Sequence, residues 1–461
     1  MDRSTGNTYN VSKEQNTPGI ERRRFRPYPE YKDSGVGWLG KIPAHWDITR
    51  IKEQFCIVNG STPSSSDPSF WDGDIVWVTP DDLGELHVSQ LGDSSRKITE
   101  EGYKSCGTSI VPKGSIVVST RAPIGYVAIA TTNLCTNQGC KSLVPKRPLS
   151  TGFFYYQLSS AKNELKSRGE GSTFKEISKD KLGLIIFTKP PEPDQHSIAF
   201  FLDRETAKID VLIEKKERLI DLLQEKRTAL ITQAVTKGLD PTVPMKDSGV
   251  EWLGKIPAYW EACRVKSLTK EHKQGFYTEQ PYIVEGVKLA RISDIDDRAN
   301  VHFNNMPYVG IDAKDECIFR LSEGDILFAR SGTIGRFGIV CGAERAVFAS
   351  YLIRFRFSRV HVEFLRYAFG SKYFRDSLVS SLHGGANQNV HAENIKALTI
   401  ALPPRDEQLK ITAYLFRETA KIDTLVAEIQ DAINHLREYR TALIAAAVIG
   451  KIDLRKELAS R

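Results

Sequence analysis

The 461 residues suffice for two or three domains with buried cores, and a composition of 41% hydrophobic and 26% charged residues is ordinary for a water-soluble globular chain. No apolar run approaches the ~20 residues that span a bilayer, and the N-terminus lacks the apolar core of a secretory signal. A net charge of +7, from 64 basic and 57 acidic residues, permits nucleic-acid binding without establishing it.

The seven cysteines are Cys56, Cys106, Cys135, Cys140, Cys263, Cys317 and Cys341. Their odd number and the absence of Cys-x-x-Cys argue against a disulfide framework and a zinc site. Reduced thiols and a cytoplasmic location are expected.

In chain order, residues 1–27 are polar and turn basic at Arg22, Arg23, Arg24 and Arg26, which predicts a flexible tail. The chain then repeats itself. Residues 32–46 read KDSGVGWLGKIPAHW and residues 246–260 read KDSGVEWLGKIPAYW, thirteen matches in fifteen. RETAKID occurs at 204–210 and 417–423, and RTALI at 227–231 and 440–444. Pro190-Pro191 with Gln195 recurs as Pro403-Pro404 with Gln408. A period near 210 residues is too long for a solenoid repeat and marks a duplicated domain.

The expected division is an α/β domain over 28–190, a helix over 191–240, a second domain over 241–403 and a second helix over 404–461. Short apolar runs bounded by Gly, Pro and Asp read as strands. They are Ile75 to Val78, Ile116 to Ser119 and Leu184 to Phe187, matched by Lys288 to Arg291, Ile326 to Ala329 and Leu398 to Ala401. Helices are expected around Phe153 to Leu158 and Phe364 to Phe369. Each domain should be compact α/β (α+β) with a mixed or largely antiparallel sheet.

After each Pro-Pro pair, Gly and Pro nearly vanish. Leu202, Ile209, Leu223 and Leu230 lie on one seven-residue series, and Leu415, Ile422, Ile429, Leu436 and Leu443 on its counterpart. Leu212, Leu219 and Leu425 belong to the interleaved series. Alternating three- and four-residue steps make a coiled-coil seam, so two long antiparallel helices are expected, with Gly238 and Gly450 as stops. Antiparallel packing would turn the direct repeat into a pseudo-twofold object. Ordinary amphipathic helices on separate domains are the alternative.

The paired openings at 31–46 and 245–260, the Pro-Pro-x-x-x-Gln stretches at 190–195 and 403–408, and the RETAKID helices together resemble the specificity subunit of type I restriction-modification systems. The resemblance covers nearly the whole chain from Tyr28. It implies two target-recognition domains, each binding one half of a bipartite, asymmetric site in double-stranded DNA, with the helices setting the unread spacer. It also implies docking of two methyltransferase subunits and of motor-nuclease subunits. No cofactor is implied for this chain; the partners would use S-adenosylmethionine, ATP and magnesium.

No catalytic constellation is legible. Lys189-Pro190-Pro191-Glu192 and Leu402-Pro403-Pro404-Arg405 do not fit the Asp/Asn-Pro-Pro-aromatic tetrad of an adenine methyltransferase. The Gly-Lys pairs at 40–41, 254–255 and 450–451 are each followed by Ile, not by the Ser/Thr of a phosphate-binding loop. Asp194 with Glu214 and Lys216 imitates a nuclease pattern, but on a helix. A coiled-coil scaffold with two protein-binding domains is the competing function.

Two loops recur as candidate DNA contacts. Residues 119–125, with Ser119, Arg121 and Gly125, match 329–335, with Arg330 and Ser331. An Arg before a Gly-ended turn suits a phosphate or guanine, or else an internal salt bridge. Residues 169–175, with Ser172 and Lys175, match 384–389, with Asn387 and Gln388. Small residues there permit close backbone approach, or simply make a turn. Residues 60–63 and Phe70-Trp71 resemble a recurrent family element, with Trp71 expected in the core. Arg291, which stands where the first copy has Thr79, is a candidate base reader.

Overall fold

The computed structural model describes residues 25–86, 88–170, 175–331, 335–342, 344–382 and 389–455. Most of the expected basic tail lies outside the described residues. The chain divides into two units. The first is Met1–Glu214 with Ile433–Arg461, and the second is Lys215–Ala432. Each α/β domain is therefore joined by segments of both long helices.

In the first unit, a five-stranded sheet runs Phe55–Asn59, Cys140–Pro145, Ile116–Ser119, Val127–Ala130 and Gln90–Leu91. Its neighbours are antiparallel except for the last pair, which is parallel. A three-stranded sheet places Trp71–Val78 between Cys135–Thr136, parallel, and Lys97–Ile98, antiparallel. The second unit repeats this order and these senses. Its strands are Thr269–Gln274, Leu352–Phe357, Ile326–Ala329, Phe337–Val340 and Asn300–Val301, then Tyr308–Val309, Val287–Ala290 and Ala346–Phe348. The duplication thus extends through the stretches whose sequences have diverged. The sheets are mixed and mainly antiparallel, as expected.

Both copies open with a hairpin of one register, Tyr31↔Pro43 and Met245↔Pro257. The strand before each Pro-Pro pair closes on the start of its own domain. Ile186–Lys189 pairs with Asp47–Arg50, and Thr399–Leu402 with Glu261–Arg264. The expected short helices form at Thr151–Ser160 and Val362–Gly370.

The repeated Pro-Pro-x-x-x-Gln has a mechanical explanation. Pro disfavours helix for the residue before it and so marks the boundary. Gln195 and Gln408, both buried, donate from Nε2 to the carbonyls of Pro190 (3.0 Å) and Pro403 (2.9 Å). Their Oε1 atoms accept from the amides of Ser150 and His361, at the start of the short helix in each copy. One buried amide therefore fixes the angle at which each long helix leaves its domain.

The long helices are Glu192–Lys237 and Arg405–Ile449, 46 and 45 residues. Each is roughly 70 Å long at 1.5 Å per residue. They stop at Gly238 and Gly450, whose φ values of +77° and +80° suit the left-handed end of a helix. In the first unit, Asp210 pairs with Arg440, while Thr188, just before the first helix, donates to the carbonyl of Val448. In the second unit, Arg227 pairs with Asp423, and Ile231, Ala234 and Val235 cluster with Ile411 and Leu415. Within each unit, advancing along one helix means retreating along the other, so the segments are antiparallel.

The seam differs from the expected one in its second row. Leu202, Ile209, Leu415, Ile422, Leu436 and Leu443 are buried, and Leu223, Leu230 and Ile429 are half-buried. Leu212, Leu219 and Leu425, however, are exposed. The covered row lies one residue later: Thr206, Ile213, Ile220, Arg227 and Ala234 on the first helix, and Thr419, Val426, Ile433, Arg440 and Ala447 on the second. A search for apolar residues passes over this row because it contains Thr and Arg. Thr206 and Thr419 satisfy their hydroxyls on the carbonyls of Leu202 and Leu415, both at 2.7 Å. The arginines pair with the RETAKID aspartates across the seam.

Arg440 binds Asp210 through two hydrogen bonds of 2.8 and 3.2 Å. Arg227 reaches Asp423 at 3.3 Å without hydrogen-bond alignment. Double-mutant cycles to Ala, read by urea unfolding, should give a coupling of about 0.5–1 kcal/mol for Arg440–Asp210 and less for Arg227–Asp423. The reverse order would contradict this geometry.

Candidate nucleic-acid interface

In each copy, the described residues just beyond the second chosen stretch meet the first. In the first unit, the amide of Ile177 donates to the carbonyl of Thr120 at 2.9 Å, and Arg121 bridges Glu176. In the second, the amide of Val390 donates to the carbonyl of Arg330 at 2.7 Å. Strand register aligns the copies residue by residue: Ser119 faces Cys140 as Ala329 faces Leu352. Arg121 therefore stands where the second copy has Ser331, and Arg330 stands where the first has Thr120.

The candidate side chains fare differently. Ser119 is fully buried, donates to the carbonyl of Pro123 at 2.7 Å and accepts the amide of Tyr126 at 2.8 Å. It shapes the loop, and its hydroxyl is spent on the loop's own backbone. Gly125 is also buried, with φ +95°, and a side chain there would press on Lys162. It too serves the turn. Arg121 is partly exposed and lies 4.0 Å from Glu176, which the buried Lys141 also approaches at 3.4 Å. Lys175 and Ser331 are exposed, and Arg330 is half-buried. Ser172, Asn387 and Gln388 lie outside the described residues.

Arg291 is committed within its own unit. Its guanidinium donates to both carboxylate oxygens of Asp294, at 3.1 and 2.9 Å, and to the carbonyl of Asn305 at 3.1 Å. In the first copy, Thr79 and Asp82 form the matching cap, with the amide and hydroxyl of Thr79 each 2.7 Å from Asp82. Burial pushes the Asp82 carboxyl upward, but hydrogen bonds from Ser95 and Thr79 outweigh it and hold its pKa below the usual range. Arg291 thus caps its own turn in the described structure. Trp71 is buried as expected, edge-on to Trp77 and covered by Arg96 at 3.6 Å.

Two further loops lie at the same place; of these the sequence singled out only residues 60–63 and Phe70-Trp71 of the first, as a recurrent family element, and nothing of the second. Residues 60–70 and 275–286 leave the first strand of each five-stranded sheet. They are pinned by Ser61 to the carbonyl of Thr136 and by Phe276 to that of Phe348. Gly60 and Gly275 mark the crossing: a Cβ would collide with the carbonyls of Asn137 and Ala349, respectively. The turns that follow, 137–139 and 349–351, supply the carbonyls of Gly139 and Tyr351 that accept the amides of Thr120 and Arg330. A glycine ending the same strand in both copies was the available signal.

Among the described residues, no group of three or more His, Cys, Asp or Glu is placed to hold a metal, and no helix is long and apolar enough to cross a membrane. A mixed α/β domain built twice, each copy with one cluster of loops and one long helix, defines a protein of two like domains. The chain belongs to the family described as the type I restriction modification DNA specificity domain, whose model matches residues 43–220 and 261–435.

It is 30% identical to the type I restriction enzyme MjaIX specificity subunit of Methanocaldococcus jannaschii, over 67% of this chain and 71% of that protein. It is 24% identical to the StySPI specificity subunit of Salmonella potsdam, over 90% of both. The fold is shared with a chain from work on complex assembly and conformational transition of the type I R-M system, at TM-score 0.66 and 17% identity, covering 89% of this chain and 99% of that one. The HsdS subunit from Thermoanaerobacter tengcongensis also shares it, at TM-score 0.52 and 15% identity, over 89% and 98%.

Proposed function

We propose that this chain is the DNA-reading subunit of a type I restriction-modification assembly, with each unit recognising one half of a bipartite, asymmetric target. The observation that carries this reading is one framework built twice with different side chains on its loop cluster. A shared framework places both clusters alike, and different side chains select different bases. The paired helices set the unread spacer and offer apolar surface to methyltransferase subunits. The chain performs no chemistry itself. Methyl transfer would need S-adenosylmethionine, and cleavage ATP and magnesium, all on partner subunits in the cytoplasm.

Exchanging residues 40–190 for the matching block of another family member, then mapping methylated adenines in the host, should change one half of the target and leave the other intact. A change in both halves together would refute independent reading. DNA affinity that did not fall with rising salt would instead favour a protein scaffold.

A further inference from the structure

These further loops, with the turns 137–139 and 349–351, differ in chemistry between the copies. In the first unit they carry Ser61, Thr62, Asn137 and Gln138, and the Thr62 hydroxyl donates to the Gln138 side-chain carbonyl. Gln138 is exposed. At the same framework position, the second unit carries Tyr277, Tyr282, Val284 and Tyr351. Val284 is 90% exposed, and Tyr277 and Tyr282 are mostly exposed.

Large apolar side chains held out in water from a pinned loop need a reason, since leaving them there gains nothing for folding. This loop is pinned: Phe276 is tied to Phe348, and the amide of Ile283 donates to the carbonyl of Tyr308 at 3.0 Å. Tyr282 and Val284 flank that second anchor. The loop also stands beside the candidate DNA contacts, because the carbonyl of Tyr351 accepts the amide of Arg330. Burial raises the Tyr351 hydroxyl pKa, and the neighbouring Tyr282 adds to the shift.

Resting on the proposed DNA reading, we infer that the two units read by different chemistry. The first uses hydrogen bonds from Gln138 and Thr62. The second uses apolar contact of Tyr282 and Val284 with thymine methyl groups in the major groove. The thymine C5-methyl is the one apolar feature that distinguishes bases there, so an apolar reader selects it. A glutamine amide instead matches base-edge donors and acceptors.

The test uses the full chain assembled with its methyltransferase subunits and duplexes carrying the mapped target. Deoxyuridine replaces thymine in one half-site at a time, which removes only the methyl group. Substitution in the second unit's half should weaken binding about three- to tenfold per contacted base, since one buried methyl group contributes about that factor. Substitution in the first unit's half should change little. Val284→Ala should reduce the thymine–uracil difference at the base it contacts, and its exposure keeps the fold out of the result. Gln138→Ala should relax one position of the first half only.

Equal tolerance of uracil in both halves, or a second half-site without thymine, would overturn the inference while leaving DNA reading intact. Loss of subunit assembly, rather than of base discrimination, in Val284→Ala would also overturn it by assigning the patch to a protein. Failure of the assembly to prefer target over random DNA would instead sink the reading on which the inference rests.

Discussion

Replacing Leu219 and Leu222 together with glutamate is expected to leave the melting temperature of this chain unchanged and to weaken its assembly with a methyltransferase subunit at least tenfold. Both side chains are 45% exposed, on the long-helix segment of the second unit. Glutamate is nearly as good a helix former as leucine, so the helix itself should be indifferent. Covering one exposed leucine in an interface contributes on the order of 1 kcal/mol for the area still open, and a buried carboxylate there adds a penalty. Two such changes suffice for a tenfold loss, which is about 1.4 kcal/mol. Leu223→Glu is the contrasting control. It is half-buried in the seam and should lower the melting temperature itself. Unchanged assembly in the double variant would mean that the exposed leucines do not form the docking face.

How much of this was legible in sequence depended on whether a residue acts locally. Gly238 and Gly450 announced the helix ends, because a stop needs a left-handed residue whatever surrounds it. Strands such as Ile116–Ser119 and Ile326–Ala329 fell where β-branched and apolar runs met glycine. The second seam row was hidden because Thr206 and Arg227 are acceptable there only through partners, the carbonyl of Leu202 and the carboxylate of Asp423. The internal bonds of Ser119 and Arg291 were hidden for the same reason. A hydroxyl and a guanidinium look available to a ligand until their internal acceptors are known. Arg121 and Arg330 stand one position apart in the sequence match of 119–125 with 329–335, and strand register keeps that offset. Exposure of Val284 and Tyr282 was not readable at all, since an apolar residue in a loop is usually turned inward.

The other large effect concerns two tryptophans that the duplication left identical in sequence. Trp46 and Trp260 are both fully buried and close against the helix ends: added side chains would press Gly450 onto Trp46 and Gly238 onto Trp260. Truncating either to alanine should cost its own unit about 3–5 kcal/mol, read as lost amide-exchange protection confined to that unit.

Phenylalanine should separate the two. The indole N–H of Trp260 donates to Glu407 at 2.9 Å, beside the Tyr259 hydroxyl at 3.0 Å. In the first copy, Asp194 takes the place of Glu407. It is one methylene shorter, lies 3.6 Å from His45, and leaves the indole N–H of Trp46 without a partner among the described residues. Trp260→Phe should therefore cost about 1.5–3 kcal/mol more than Trp46→Phe, the range for a hydrogen bond to a charged group. By the same logic, Asp194→Glu should stabilise the first unit by about 1 kcal/mol, and only while Trp46 is present. Equal costs for the two phenylalanine variants would mean that Trp46 has a partner after all, and a gain from Asp194→Glu that survived Trp46→Phe would assign it to another contact.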